Sequence, residues 1–82
     1  MEQRFAQRIN LDPRVMVGKP VIRGTRIPVE LIVRMLAQGI PEADILAEYP
    51  RLTRDDIGAA LAYAAEVLAG EEVAPLDSLV RV

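Results

Sequence analysis

The apolar positions of this chain change period along its length. Arg8-Ile9-Asn10-Leu11 alternates polar and apolar, which predicts a short strand, and Met1 to Arg8 before it predicts an arm or a short first helical turn. Asp12-Pro13 predicts a turn, and Val15-Met16-Val17 a second strand or an extended connection. Val21, Ile22 and Ile27 favour extended backbone, and Gly24-Thr25 between them gives the chain a place to reverse. The expected element is a small hairpin feeding straight into a helix at Pro28, whose fixed φ suits a first helical turn.

From there the period is helical. Val29, Ile32, Val33 and Leu36 fall at i, i+3, i+4 and i+7, one apolar face of a helix over about Pro28 to Gln38, with Gly39 just past its end. A second helix is expected from Pro41 or Glu42 to Glu48, turning Ile45, Leu46 and Tyr49 inward. Glu42 and Asp44 suit its positive end, and Pro50 stops it. The third helix has the fullest signature. Thr53 stands as N-cap with Asp56 in the capping-box position, and Ile57, Ala60, Leu61, Ala64, Ala65 and Leu68 form the expected inward stripe before Gly70. Its alanines allow close approach by the other helices or by a symmetry mate. After Gly70 the pattern breaks at Glu71-Glu72 and Ala74-Pro75, and Val73, Leu76, Leu79, Val80 and Val82 follow without a fixed period. The expected fold is mainly α. Residues 1–70 form a three-helix, helix-turn-helix-like domain with a small N-terminal β-hairpin or strand element, and residues 71–82 a C-terminal apolar tail.

Composition narrows the chemistry. With 82 residues, one domain is expected, and a chain of this size buries only about 60% of its unfolded surface, so a homodimer is expected to help it. Cysteine and histidine are absent, which excludes disulfides, Cys/His zinc sites and imidazole catalysis. Aromatic residues are 4% of the chain, too few for a base-stacking platform. No apolar run reaches a membrane span and no secretion signal opens the chain, so the expected location is the cytoplasm.

Charge is more telling than its net value of −2. Residues 4–34 carry seven cations against two acids, and residues 35–82 three cations against nine acids. Such asymmetry fits an anionic partner for the basic half; equally, the halves can attract one another within the chain or across a dimer.

The run Gly18-Lys19-Pro20-Val21-Ile22-Arg23-Gly24-Thr25-Arg26-Ile27-Pro28-Val29 also carries a resemblance. With Asp12-Pro13, Gly39, Tyr49-Pro50 and Leu52-Thr53, it makes the stretch from Ile9 to Glu66 resemble the bacterial and archaeal family known as domain of unknown function 433. The resemblance implies a helix-turn-helix-like domain, proposed in that family to serve as antitoxin to a PIN-like ribonuclease toxin. Val17 stands where the family commonly has glycine, and Pro41 where a capping serine or threonine is common.

The four-residue connection Tyr49 to Leu52 between the second and third helices has helix-turn-helix proportions. A reading helix presents its N-terminus to the major groove, but here Asp55 and Asp56 stand at that end and would repel phosphates. Contacts to double-stranded DNA are therefore expected from Lys19, Arg23 and Arg26 on the hairpin, with Arg14 and Arg54 and the auxiliaries Arg4 and Arg8. The competing reading makes Arg23 or Arg26 structural, forked onto Asp12 or Glu30. For a toxin partner, Val73, Leu76, Leu79 and Val80 are expected anchors, and Arg81 could reach the carboxylates of a PIN-like metal site. Against that, the tail could pack on its own domain or swap into a dimer mate. Asp55-Asp56 is accounted for by capping and Glu71-Glu72 by solvation. No phosphate-loop pattern is present, and no cofactor is expected. The expected function is a non-enzymatic regulatory module of antitoxin type that holds a toxin and contacts promoter DNA; the alternative is a protein-interaction or structural adaptor without DNA binding.

Overall fold

A one-turn helix α1 (Gln3–Ala6) leads into a two-residue strand β1 (Ile9–Asn10), in a computed structural model that describes residues 3–11 and 18–70. Strand β2 (Val21–Ile22) pairs with β1 in antiparallel register, Ile9 opposite Ile22 and Asn10 opposite Val21. Three longer helices follow: α2 (Val29–Ala37), α3 (Glu42–Glu48) and α4 (Arg54–Ala69). The turn expected at Asp12-Pro13 and the extended segment at Val15-Met16-Val17 lie outside the described residues.

β2 is the middle of the β-element rather than one arm of a free hairpin. On one side it meets β1; on the other, Val21 bridges Pro28 and the Ile22 N–H donates to the Ile27 carbonyl at 3.0 Å. Successive strand residues face opposite ways, yet Val21 and Ile22 are both fully buried, so both faces of β2 are covered. That explains two adjacent apolar residues where a half-exposed strand would alternate.

The helix ends follow local chemistry. Pro28 and Pro41 occupy the N-caps of α2 and α3 in extended conformation, without a side-chain oxygen to cap either helix. α2 ends in a Schellman motif. Gly39 has φ +84°, its N–H reaches the Leu36 carbonyl at 3.0 Å, and the Ile40 N–H reaches the Met35 carbonyl at 3.1 Å. At α4 the capping box is complete: the Asp56 N–H donates to Thr53 Oγ1 at 3.2 Å and the Thr53 N–H to Asp56 Oδ2 at 2.9 Å.

The core joins Ile9, Ile22, Val29, Ile32, Ile45, Leu52 and Ile57 with Ala59 and Ala60. Burying each large side chain contributes about 1.5–3 kcal/mol relative to leaving it wet. α4 forms the floor, with α2 and α1 against it. Phe5 of α1 meets α4 at Gly58, where a Cβ would stand 3.1 Å from Phe5 Cζ. The inward stripe of α4 differs from the sequence expectation. Ile57 and Ala60 are buried, but with Asp56 and Ala59, while Leu61, Ala65 and Leu68 face solvent. With alanine on every side of the helix, small differences in hydrophobicity do not choose a face, and packing against α1 and α2 does.

Candidate functional site

The Thr25 N–H donates to the Ile22 carbonyl at 3.0 Å, closing a turn with Gly24 at its third position, where φ is +82°. Thr25 locks this turn twice, its hydroxyl donating to the Ile22 carbonyl at 2.7 Å and accepting from the Ile27 N–H at 3.0 Å. The turn separates two guanidinium groups with different fates. Arg23 folds back: Nε donates to the Gln7 carbonyl at 2.6 Å and Nη2 to the Ile9 carbonyl at 3.2 Å. It clamps the hairpin to β1 through main-chain acceptors rather than a carboxylate. Arg26 points out and, among the described residues, has no hydrogen-bonding or ionic partner.

A second turn brings another cation to the same place. The Leu52 N–H donates to the Tyr49 carbonyl at 2.9 Å, placing Pro50 and Arg51 at the two central positions of the turn between α3 and α4. Arg51 is exposed and likewise without a partner among the described residues. Arg26 and Arg51 line one open cleft of about 480 Å³ with Asn10, Gly24 and Thr25. Sequence reasoning did not select Arg51. The available signal was its position as the one cation inside the helix-turn-helix connection.

The other expected contacts are engaged internally. Lys19 Nζ meets Glu30 Oε1 at 2.8 Å, and Arg34 Nη2 meets Glu30 Oε2 at 3.1 Å. The Lys19 hydrogen bond, then the charges of Lys19 and Arg34, hold the Glu30 carboxyl below its ordinary pKa. Arg54 pairs with Glu42 at 3.0 Å and ties the start of α4 to the start of α3. The pairs of Lys19 and Arg54 are solvent-exposed, and such pairs contribute at most about 1 kcal/mol. Arg14 and the tail residues Val73, Leu76, Leu79, Val80 and Arg81 lie outside the described residues, as does the side chain of the auxiliary Arg4.

The acids at the head of α4 do not both face outward. Asp56 is buried in its capping box, and Arg8 reaches it at 3.1 Å while lying 3.5 Å from the half-exposed Asp55. Arg8 thus offsets the charge expected to repel phosphates. Among the described residues, no group of three His, Cys, Asp or Glu side chains is placed to hold a metal, and no helix is long and apolar enough to cross a membrane. What the cleft can do chemically is offer phosphate or carboxylate groups two arginines on its wall, each with a guanidinium fork.

The DUF433 family model, described as a protein of unknown function, matches residues 9–64. An uncharacterized protein of Archaeoglobus fulgidus is 62% identical over 29 residues, which are 35% of this chain and 81% of that protein. The crystal structure of a DUF433 member protein from Anabaena variabilis superposes with a TM-score of 0.70 at 41% identity, over 78% of this chain. The match spans 63% of the Anabaena variabilis chain.

Proposed function

The chain belongs to the DUF433 family, and we propose that it is a non-enzymatic regulatory module of antitoxin type that holds double-stranded DNA by its phosphates through Arg26 and Arg51. The observation that carries this reading is that these two arginines, unpaired among the described residues, line one open cleft, Arg26 from just beyond the β-turn and Arg51 from the helix-turn-helix connection. Phosphate contacts position a protein on a duplex without reading its sequence, and they suit a helix whose N-terminal end is acidic. Lys19 and Arg54 join through exposed ion pairs that are readily exchanged for phosphates. A regulator of this kind works in the cytoplasm beside its gene, with a PIN-like toxin as its protein partner.

Retention of DNA from upstream of its own reading frame tests the reading. Replacing Arg26 and Arg51 together by alanine lowers affinity and reduces the slope of log affinity on log salt by about 2, roughly one for each phosphate left without its guanidinium. Undiminished binding by the folded double variant overturns it.

The second reading, an adaptor that does not bind DNA, draws support from the internal engagement of Lys19, Arg23 and Arg54. Wild-type protein that shows no salt-sensitive DNA retention, yet co-purifies with a protein partner, favours the adaptor.

A further inference from the structure

We propose that the Arg26–Arg51 cleft prefers a terminal phosphate, the monoester carried by a strand end or a free nucleotide, over the diester phosphates inside a strand. The inference rests on the reading of this cleft as a phosphate site and names the kind of phosphate it takes.

The first observation is the sign of the walls. Asn10, Gly24, Thr25, Arg26 and Arg51 line about 480 Å³, and no carboxylate is among them. Two other clefts among the described residues mix their charges: Glu30 stands with Arg34 in one, and Asp56 with Arg8 and Arg23 in another. In each, the acid is paired with an arginine, Glu30 with Arg34 and Asp56 with Arg8, both at 3.1 Å. An anion entering either meets a carboxylate; one entering the Arg26–Arg51 cleft meets none on its walls.

The second observation is a supply of main-chain donors. Neither the Gly24 nor the Arg26 N–H has an acceptor among the described residues, and both residues are exposed. A Cβ built on Gly24 would meet no atom within 4 Å, so the backbone of the turn lies open to a ligand. These N–H groups add to the donors of two unpaired guanidinium groups. A diester phosphate brings them one charge and two unshared oxygens. A terminal phosphate brings a charge of about −1.5 to −2 and three acceptor oxygens. A wall with two positive charges, donors in excess and no acid favours the second.

The third observation concerns the rest of the ligand. None of the five lining residues is aromatic, so no ring on the wall stacks a base. The phosphate carries the recognition, and nucleotides that differ only in base bind alike.

Proton–nitrogen correlation spectra of the full chain, titrated with thymidine 5′-monophosphate and with its methyl ester, test the proposal. The monophosphate is expected to shift the Gly24 and Arg26 N–H and the Arg51 Nε–H. It binds about tenfold more tightly than the ester, the effect of one further charge-assisted hydrogen bond. The preference disappears at about pH 5, below the second phosphate pKa of about 6, where both ligands carry one charge. In R26A/R51A the shifts are lost while the core resonances of Ile32 and Ile57 keep their positions. A short duplex with and without 5′-phosphates separates the two sources. Tighter binding of the phosphorylated duplex assigns the site to strand ends, and equal binding of the two assigns it to free nucleotides. Equal affinity for the monophosphate and its methyl ester overturns the proposal, as do shifts confined to residues outside the cleft. If that happens while duplex DNA is still retained through Arg26 and Arg51, the DNA reading stands without it. Monophosphate binding without duplex retention sustains this inference and removes that reading.

Discussion

Arg8 Nη1 lies 3.1 Å from Asp56 Oδ1, joining the residue before β1 to the first turn of α4. The other oxygen of the same carboxylate accepts the Thr53 N–H at 2.9 Å. One buried carboxylate therefore caps the longest helix and anchors the N-terminal strand. A buried charge is tolerated here because both oxygens are occupied, one by a cation and one by an otherwise orphaned main-chain donor.

Asp56→Ala removes both functions and is expected to cost about 2 kcal/mol, against about 1 kcal/mol for Thr53→Ala, which removes only the cap. The double variant costs less than the two added together, because both break the same box. Urea midpoints of the three variants check this. Equal losses from the two single variants would show that Arg8 adds nothing to stability.

Arg23→Ala is expected to destabilise by about 1–2 kcal/mol, since it frees two main-chain carbonyls and unclamps the hairpin. Arg23→Lys does not restore the loss, because a single ammonium cannot reproduce the fork. Arg26→Ala, with no partner among the described residues, stays within about 0.5 kcal/mol of the parent. Thermal unfolding of these variants separates the structural arginine from the one available to bind.

Much of this fold is legible in the sequence because its signals are local. The Thr53–Asp56 box, the stop at Pro50 and the glycine after α2 each act within a few residues, and the observed helices begin and end where they place them. The buried face of α4 is not legible, because alanine surrounds the helix and packing chooses the side. Nor are the partners of the cations. Lys19 and Glu30 are eleven positions apart, and Arg23 is held by carbonyls at Gln7 and Ile9 that carry no side-chain signature. Only the folded arrangement leaves Arg26 without a partner among the described residues and brings Arg51 to the same cleft.

Gly39→Ala is expected to cost about 1–2 kcal/mol, the penalty of placing a Cβ in left-handed backbone. Nothing lies within 4 Å of that Cβ, so the cost is conformational rather than steric. Gly70 differs: its φ is −83°, and its added Cβ meets only ordinary contacts, the nearest at 3.6 Å. Gly70→Ala leaves stability unchanged or slightly raised by its better helix propensity. Denaturant melts of both variants make the comparison.

Glu30 gives a pH dependence of definite sign. Its folded pKa is held below the ordinary 4.5, first by the Lys19 hydrogen bond. Its contribution is therefore present above that value and is lost as pH falls through the lower folded pKa. Glu30→Gln removes this part of the acid dependence, and Lys19→Ala moves the Glu30 titration back toward 4.5. Carboxyl chemical shifts followed through an acid titration read both effects. An unmoved Glu30 titration in Lys19→Ala would show that the pair is not formed in solution.

The seat of Phe5 on Gly58 has a consequence for the order of assembly. A chain emerges from the ribosome N-terminus first, but α1 has no surface to rest on until the middle of α4 has been made. Closing so long a loop carries an entropic cost that local helix formation avoids. α1 therefore docks only after α4 is made, and until then a nascent chain carries Phe5 uncovered, where chaperones can find it.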